Sequence, residues 1–325
     1  MKFARLVSTA HYLPEKIIDN HFLSEYLDTS DEWIQKRTGI KQRHIADTDE
    51  ACVDMAYNAA VESLSRASIA KSDLDAILVA TCTSDKPFPS IACILAGRLG
   101  VEGLFAMDLN AACSGMLYAM ELVYSNMCNT HGWKHVLVIG VDAMTRVVDW
   151  RDRSSCVLFG DGAGAMLFSR DNKPGIEHVV CGSNGLGAHL LYAKNKKTKD
   201  ASLFPWDLHS VETYMQGKEV FKHATTKMAE VSMEVLSTLG YETGAIDWCV
   251  PHQANKRILD AVCSKLNLDP GKLIMTVDKH ANTSAASIPL ALSCACEEKK
   301  IKQGDKVLIN AFGAGFTWGA GVITV

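Results

Sequence analysis

The sequence contains a weak internal repeat, and this repeat restricts the possible folds more than any other feature. Four segments of the N-terminal half resemble four segments of the C-terminal half, in the same order and at similar spacings. The pairs are residues 72–82 with 243–252, 108–115 with 278–285, 135–143 with 306–314, and 160–168 with 317–325. Such a repeat predicts two similar halves, which we place at residues 1–171 and 172–325.

Within each half, short runs that are apolar throughout alternate with longer helical patterns. The predicted strands are residues 76–81, 135–141, 157–169, 248–251 and 306–312. The predicted helices are residues 52–68, 114–130, 220–239, 256–265 and 287–299. Because strands that are apolar on both faces must be covered on both faces, the pattern predicts an α/β fold with buried sheets.

Composition and charge exclude several classes of function. The chain has 325 residues, of which 48% are apolar and 22% charged, as in an ordinary globular protein. The formal net charge of −4 gives no overall attraction for nucleic acid. No apolar run approaches the roughly 20 residues that span a bilayer, and His11, Pro14 and Glu15 interrupt any signal-type N-terminal region. We expect a cytoplasmic protein that binds neither membranes nor nucleic acid.

The eleven cysteines predict neither a disulfide framework nor a zinc site. Their number is odd, and no two of them form a C-x-x-C pair. Most of them are expected to be small buried apolar residues in a reducing compartment.

Cys113 has the sequence context of a nucleophile. Small residues surround it, and a predicted helix begins directly after it. The positive end of the helix dipole is expected to lower the pKa of a thiol at this position. The alternative is a structural cysteine, which is the commoner role for a cysteine in such a setting.

His252 and Asn282 are the other candidates, and each has a structural alternative. His252 follows a short predicted strand and precedes a helix, but a lone histidine is usually a structural residue. Asn282 lies at a loop-to-helix junction, where an asparagine commonly caps the helix. The repeat adds that Cys113 and Asn282 occupy about the same place in the two halves. If the halves pack about a pseudo-twofold axis, the two residues meet at its centre.

Two glycine-rich segments do not match a nucleotide-binding loop. Residues 160–165 lack a complete G-x-G-x-x-G, and the chain has no phosphate-binding loop motif. Residues 312–321 predict a tight turn between strands, and its backbone N–H groups could also face an oxyanion. Residues 186–216 include the basic stretch 194–200 and are expected to form a surface excursion.

Seven segments along nearly the whole chain have distinctive sequences, namely residues 29–40, 88–93, 109–120, 159–165, 250–258, 282–292 and 311–321. Matched in this order, they resemble the β-ketoacyl-acyl carrier protein synthase III family of thiolase-like condensing enzymes. The resemblance implies the thiolase-like α/β fold, with five layers in the order αβαβα and two pseudo-twofold-related halves. It also implies a homodimer.

The resemblance implies a reaction in two stages. Acetyl-CoA or another short acyl-CoA transfers its acyl group to Cys113, and CoA leaves. Malonyl-acyl carrier protein then loses carbon dioxide, and its carbanion attacks the acyl-cysteine to give acetoacetyl-acyl carrier protein. This decarboxylative Claisen condensation initiates type II fatty acid synthesis. The CoA thioester is a substrate, so no cofactor is expected.

The resemblance also implies roles for the residues of the site. Cys113 carries the acyl group, while His252 and Asn282 donate hydrogen bonds to the oxygen of the decarboxylating thioester. Two neutral donors suit this task because they stabilise the developing charge without binding the carboxylate permanently. The backbone N–H groups of Cys113 and Ala314 are expected to form the oxyanion hole for acyl transfer.

Other positions match family residues that contact the substrates. The matches to CoA-binding residues are Thr29, Trp33, Arg37, Arg153 and Asn255, with Trp33 and Arg153 on the two faces of the adenine ring. The matches to residues that dock the carrier protein are Lys222 and Arg257. Phe88 matches the residue that reaches into the acyl pocket of the partner subunit. The primer pocket is expected to be shaped further by Met116, Met144, Leu158 and Phe159.

The sequence departs from the family pattern in four places, one of which is a slightly long segment between Cys113 and the strand that ends at Val141. Ala281 stands where a glycine commonly precedes the active asparagine, and its methyl group restricts the backbone there. The turn at 313–315 reads Gly-Ala-Gly where some members have three glycines. Residues 186–216, which contribute to the acyl pocket in the family, match poorly, so the resemblance leaves the choice of primer open.

Three alternatives remain at the level of sequence. A synthase of the same fold could serve secondary metabolism with a different primer or extender. A thiolase or a hydroxymethylglutaryl-CoA synthase would need other catalytic partners than the Cys–His–Asn set. A non-catalytic subunit of a condensing heterodimer would have lost its nucleophile, and Cys113 is present.

Overall fold

The computed structural model describes residues 2–129, 132–195 and 211–325. In these ranges the strands are β1 (Phe3–Tyr12), β2 (Ile17–Asp19), β3 (Gln42–His44), β4 (Ala76–Ala80), β5 (Phe105–Leu109), β6 (His135–Ala143), β7 (Asp161–Asp171), β8 (Ile176–Ser183), β9 (Leu191–Asn195), β10 (Val211–Met215), β11 (Trp248–Pro251), β12 (Lys306–Gly313) and β13 (Thr317–Thr324). The α-helices are α1 (Asn20–Ser24), α2 (Asp31–Thr38), α3 (Cys52–Ala67), α4 (Ile91–Leu99), α5 (Gly115–Met127), α6 (Gly217–Leu239), α7 (Lys256–Lys265), α8 (Val277–His280) and α9 (Ser287–Glu297).

Two large sheets repeat the same arrangement of strands. The first has the order β1-β7-β6-β4-β5, and the second has the order β11-β12-β13-β8. In the first sheet β4 and β6 are parallel and β7 is antiparallel to β6; in the second, β11 and β12 are parallel and β13 is antiparallel to β12. Three of the repeated sequence segments therefore supply equivalent strands. The predicted division between residues 171 and 172 falls between β7 and β8 and stays a prediction.

Helices cover both faces of each sheet and produce five layers. Successive residues of a strand point to opposite faces, so Leu78 faces the centre of the molecule while Val79 faces outward. Helices α5 and α9 fill the central layer, where they pack against both sheets. Helices α3 and α4 cover the outer face of the first sheet, and α6 and α7 cover the outer face of the second. The layers follow the predicted order αβαβα.

Local sequence explains where several elements begin and end. Helix α7 has the predicted bounds because Asn255 caps its N-terminus through Ile258 N–H at 3.0 Å. Helix α6 ends at Gly240, whose φ of +69° suits a residue without a side chain. The strand predicted at 157–169 begins only at Asp161. Its first residues belong to a short 3₁₀ turn and then to a contact with the loop that carries Asn282.

The two halves approach closely where glycine replaces a side chain. A Cβ atom at Gly140 of β6 would lie 2.3 Å from Ala285 O, and one at Gly164 of β7 would lie 2.6 Å from Leu290 N. These distances are shorter than van der Waals contact, so only glycine allows the turn before α9 to rest on the first sheet. This contact fixes the position of the loop that precedes the turn.

Part of the predicted surface excursion at 186–216 lies outside the described residues, namely 196–210. Its two described ends form the antiparallel pair β9 and β10, where Tyr192 stacks on Tyr214 with ring centroids 5.2 Å apart. Within the described ranges, every helix is too short or too polar to cross a membrane.

Candidate active site

A cavity of about 1060 Å³ brings the three candidate catalytic residues together. Cys113, His252 and Asn282 all line it. Cys113 comes from the loop between β5 and α5, His252 follows β11, and Asn282 lies between α8 and α9. Cys113 and Asn282 occupy about the same place in the two halves of the sequence repeat. In the structure, the loops that carry them meet at this cavity.

Cys113 lies in a 3₁₀ turn, Ala112–Ser114, that leads directly into α5. Ala112 has a φ of +47°, and its N–H donates to Asn110 Oδ1 at 3.1 Å. This tight turn directs the chain from the edge of the first sheet into the central layer. It leaves the Cys113 side chain partly exposed and facing the cavity.

The charge state of Cys113 differs from the sequence-based expectation. Burial raises the pKa of the thiol to about 12, and the negative charge of Asp142 acts in the same direction. Hydrogen bonds from the Ser284 hydroxyl and from the Cys113 N–H favour the thiolate but do not offset the loss of solvent. The expected lowering of the pKa is therefore wrong, because the loss of solvent raises the pKa of this thiol.

His252 is buried and neutral. Its backbone N–H donates to Asn310 O at 2.8 Å, and its Nδ1 lies 2.7 Å from Ser287 Oγ. Burial lowers the pKa of the imidazole to about 4, although a backbone hydrogen bond to Ser284 favours the protonated form. The residue therefore presents an uncharged ring to the cavity at neutral pH.

Asn282 is held so that its amide group can act as a donor. Its backbone forms two hydrogen bonds with the N-terminal half: the Asn282 N–H donates to Leu158 O at 2.9 Å, and the Asn282 carbonyl accepts from Gly160 N–H at 3.1 Å. Its Oδ1 accepts from Ser284 N–H at 2.9 Å. This bond orients the side-chain NH₂ away from the turn. The Asn282 amide thus stabilises the turn at Ser284. The structural alternative considered from the sequence was that Asn282 caps the following helix, α9.

Ala281 has an unusual backbone conformation. Its φ is +56° and its ψ is −160°, and its side chain is buried. This region of backbone space is adopted mainly by glycine. The chain therefore accepts local strain at the residue before Asn282, which agrees with the position of a glycine in the family pattern.

A buried carboxylate links the loops around the cavity. Asp142, at the end of β6, accepts from Cys82 N–H at 2.8 Å and from the Thr83 hydroxyl at 2.8 Å. Its other oxygen accepts from Ala285 N–H at 3.1 Å. Burial raises the pKa of Asp142, while these hydrogen bonds lower it. The carboxylate thereby ties the loop after β4 to the turn that precedes α9.

The glycine-rich turn after β12 packs against the nucleophile loop. A Cβ atom at Gly313 would lie 2.8 Å from Cys113 N, and the Thr317 hydroxyl donates to Ala111 O at 2.8 Å. Ala314 and Cys113 both line the cavity. The turn thus brings backbone groups of the C-terminal half to the loop that carries the thiol.

The residues expected to bind CoA fall into two groups. Asn255 lines the cavity while it caps α7. Trp33 lies outside the cavity lining, between two cations: the guanidinium carbons of Arg37 and Arg153 are 5.6 Å and 5.4 Å from its ring centroid. Arg153 also pairs with Asp28 at 3.0 Å. A ring that stacked between Trp33 and Arg153 would therefore have to displace the arginine. Thr29 lies two residues before α2, the helix that carries Trp33 and Arg37.

The predicted acyl-pocket residues lie in three different places. Met144, Leu158 and Phe159 line the cavity. Met116 does not: it is completely buried among the side chains of the central layer, because it lies on the inner face of α5. Its predicted place in the acyl pocket is therefore corrected. Phe88 projects from the loop before α4 and is 82% exposed.

Lys222 and Arg257 lie on two helices that pack against each other. They are exposed on α6 and α7, and the guanidinium carbon of Arg257 lies 5.5 Å from the Phe221 ring centroid. As regards metals, the described ranges contain no group of three histidine, cysteine or acidic residues arranged to hold an ion.

Comparisons with known proteins identify the family to which the chain belongs. A family model described as 3-oxoacyl-acyl-carrier-protein (ACP) synthase III matches residues 107–185, and its C-terminal companion matches residues 236–325. Beta-ketoacyl-acyl-carrier-protein synthase III of Alkalilimnicola ehrlichii is 45% identical over 329 residues, which cover 99% of each chain. The chain belongs to the 3-oxoacyl-acyl-carrier-protein synthase III family.

Solved structures agree with this assignment. The 3-oxoacyl-acyl-carrier-protein synthase III of Aquifex aeolicus superimposes with a TM-score of 0.92 and 41% identity over 99% of this synthase and 100% of that chain. The priming β-ketosynthase of the R1128 polyketide pathway has a TM-score of 0.93 and 31% identity, over 99% and 96%. The predictions of family, five-layered thiolase-like fold and class of enzyme are confirmed.

Sequence reasoning missed four residues of this synthase's site. Ser284, Ser287, Asp142 and Cys82 all contact the candidate catalytic residues or the loops that hold them. Cys82 Sγ lies 3.6 Å from Ser284 Oγ, the hydroxyl that also bonds Cys113. For the two serines, the signal in the sequence was the high proportion of small and hydroxyl residues at 282–287, which helix capping explains equally well.

Proposed function

We propose that this synthase condenses a short acyl-CoA, such as acetyl-CoA, with malonyl-acyl carrier protein and so initiates type II fatty acid synthesis. The observation that carries the proposal is the meeting of Cys113, His252 and Asn282 at one cavity. A thiol and two neutral hydrogen-bond donors are the groups that acyl transfer and decarboxylative condensation require.

The first stage transfers the acyl group to Cys113. The Cys113 sulfur attacks the thioester carbonyl, the bond from that carbonyl to the CoA sulfur breaks, and the thiol proton ends on the departing CoA sulfur. Because the proton follows the leaving group, the cavity gains no net charge. Backbone N–H groups of Cys113 and Ala314 stabilise the tetrahedral oxyanion on the way.

The second stage forms the carbon–carbon bond. The carboxylate of the malonyl thioester leaves as carbon dioxide, and the electron pair moves onto the thioester oxygen as an enolate. His252 Nε2–H and the Asn282 NH₂ group donate to this oxygen. The enolate carbon then attacks the acyl-Cys113 carbonyl, and collapse of the adduct breaks the bond to the cysteine sulfur. The sulfur leaves as a thiolate and takes one proton from the solvent. The electrons balance without an oxidant or reductant, so we propose that no cofactor is needed.

The substrates are expected to reach the cavity along the surface described above. Trp33 and the two arginines beside it offer an aromatic and cationic site for the CoA nucleotide. Lys222 and Arg257 offer positive charge to an acidic carrier protein, which would speed its association. Asn255 lies at the cavity end of this path, where the pantetheine chain would pass.

We further propose that the synthase acts as a homodimer in the cytoplasm. Strand β5 is an edge strand with one paired side and a sequence that is apolar except for Asp108, and such an edge favours pairing with a second copy. Phe88, 82% exposed, would then enter the acyl pocket of the partner subunit. Sedimentation equilibrium should give twice the chain mass of 35.4 kDa. The free thiols of all eleven cysteines suit a reducing compartment.

A coupled assay tests the proposed function. The synthase, acetyl-CoA and malonyl-acyl carrier protein should give acetoacetyl-acyl carrier protein, carbon dioxide and CoA in equal amounts. Malonyl-CoA in place of the carrier-bound extender should react more slowly, because it lacks the carrier surface. Branched and longer acyl-CoAs define the primer range, which Met144, Leu158 and Phe159 would limit. Condensation with a different extender, and none with malonyl-acyl carrier protein, would contradict the proposal.

A further inference from the structure

Ser287 is buried beside His252 and bonds two groups of the same loop. The residue is the first of α9 and is 1% exposed. Its Oγ lies 2.7 Å from His252 Nδ1, and it accepts from Gln253 N–H at 3.2 Å. The serine therefore faces the side of the imidazole that is turned away from the cavity.

Counting hydrogens favours one distribution of the protons among these groups, in which the serine both accepts and donates. A backbone N–H can only donate, so Gln253 fills one acceptor position of the serine oxygen. The serine has a single hydrogen of its own, and His252 Nδ1 is the acceptor that lies within reach of it. If Nδ1 accepts, it carries a lone pair, and the one hydrogen of the neutral ring must lie on Nε2.

We propose that Ser287 is a positioning residue that fixes the tautomer of His252, so that Nε2–H and not a lone pair faces the cavity. The inference rests on the proposed function, because it explains how His252 can donate to the enolate oxygen. With the opposite tautomer, a lone pair would face that oxygen and repel its negative charge. Acyl transfer to Cys113 does not use this donor, so the two stages should depend differently on Ser287.

Partial reactions give the first test. Ser287→Ala should slow the decarboxylation of malonyl-acyl carrier protein by about 10- to 100-fold, the range found when the hydrogen-bond partner of a metal-binding histidine is removed. Labelling of Cys113 by radioactive acetyl-CoA should change by no more than about twofold. Ser287→Thr keeps the hydroxyl and should restore most of the decarboxylation. Equal loss of both stages, or no loss of decarboxylation, would overturn the proposal.

The same helix supplies a matched control. Ser293 is also buried in α9, and its Oγ lies 2.9 Å from Nδ1 of another histidine, His11, outside the cavity lining. Ser293→Ala removes the same kind of hydrogen bond from the same helix. It should leave both partial reactions unchanged. An equal loss of decarboxylation in Ser293→Ala would mean that the effect of Ser287→Ala is one of helix stability.

Nuclear magnetic resonance reads the tautomer directly and does not depend on activity. With ring-¹⁵N histidine, the two nitrogens of a neutral imidazole have distinct shifts, and His252→Gln identifies the signals of His252. The wild type should show Nε2–H, and Ser287→Ala should shift the population toward Nδ1–H. A wild type with Nδ1–H would overturn the proposal, even if Ser287→Ala failed to fold. If the wild type has Nε2–H but does not decarboxylate malonyl-acyl carrier protein, the proposed function is refuted, and the assignment of the tautomer is unaffected.

Discussion

At the scale of single residues, burial decides the chemistry of the site. It holds Cys113 as a thiol and His252 as a neutral imidazole, and Asn282 carries no charge at any pH. The ring of His252 and the amide of Asn282 are each held by a serine of the segment 284–287. The site therefore presents oriented dipoles, which stabilise charge that appears during the reaction without the cost of burying a permanent charge.

Replacing the donor amide tests this view of Asn282. In Asn282→Asp, a carboxylate would face the enolate oxygen in place of an NH₂ group, so decarboxylation should fall by about 100-fold or more. Acetyl transfer to Cys113, followed with labelled acetyl-CoA, should fall much less. Asn172→Asp, at an exposed turn, is the control for a change of charge. A variant with nearly normal decarboxylation would contradict the role assigned to Asn282.

The lowered pKa of His252 also predicts how stability depends on pH. The folded protein holds the pKa near 4, below the ordinary value of 6.5, so the unfolded chain binds this proton more readily. Stability from this group is complete above 6.5 and is lost as the pH falls toward 4. Between pH 7 and pH 5 the loss should be roughly 2 kcal/mol.

Denaturant unfolding at both pH values measures this loss. Other groups titrate in the same range, so the informative quantity is the difference between the wild type and His252→Gln, which lacks the titrating ring. The variant should lose less stability than the wild type on acidification. Parallel losses in both proteins would show that His252 is not buried as the structure describes.

Sequence alone identified some of these residues and not others. Cys113, His252 and Asn282 lie in distinctive local contexts and match family segments, so they could be predicted. Ser287 and Asp142 contact residues that are 35 and 143 positions away along the chain, and no local sequence pattern indicates such contacts. The pKa of Cys113 was predicted in the wrong direction because desolvation depends on the whole fold, whereas the helix dipole can be inferred locally.

At the scale of elements, the site is built from two turns that each lead into a central helix. The turn at Ala112–Ser114 precedes α5, and the turn at Ser284–Ala286 precedes α9. Each contains a residue with positive φ, Ala112 in the first and Ser284 in the second. The sequence repeat thus corresponds to a repeated local structure, in which a turn with a positive-φ residue precedes a central helix and places a loop at the cavity.

The strain at Ala281 gives a prediction for this element. Ala281→Gly should raise the free energy of unfolding by roughly 0.5–1 kcal/mol, because relief of strain outweighs the lost methyl and the greater freedom of the unfolded chain. Chemical denaturation measures the change. Ala119→Gly in α5 is the control and should lower stability by about 1 kcal/mol or more. Equal losses in both variants would show that Ala281 is unstrained.

Elements were predicted well where sequence pattern and burial agree. Helices α3 and α7 have apolar stripes and clear ends. The buried strands β4 and β11 are apolar throughout, and β12 is apolar except for Lys306 and Asn310. Strands β1 and β8 were missed because buried and partly exposed residues mix along them. The strand predicted from residue 157 was too long, since contacts with the other half of the chain convert its first residues into a turn.

At the scale of the whole molecule, the cavity lies where the two halves meet. The turn before α9 rests on β6, and Asp142 bonds that turn from the first sheet. A change in this contact should therefore affect stability and catalysis together, even though it touches no reacting group.

Gly140→Ala tests this coupling. The added methyl would meet Ala285 O at 2.3 Å, so the turn and the adjacent Asn282 must move. We expect a loss of about 1–3 kcal/mol in stability and at least a tenfold loss of condensation. Gly97→Ala is the control, because a Cβ on this exposed face of α4 has nothing within 4 Å. It should leave condensation unchanged. Normal activity in Gly140→Ala would contradict the coupling.

The central claim is that Cys113 carries the acyl group between the two substrates. Peptide mass spectrometry after incubation with acetyl-CoA tests it most directly. Acetyl mass should appear on the peptide containing Cys113, be absent from Cys113→Ala, and disappear on addition of malonyl-acyl carrier protein as acetoacetyl-acyl carrier protein forms. An unmodified Cys113, or condensation by Cys113→Ala at the wild-type rate, would contradict the claim.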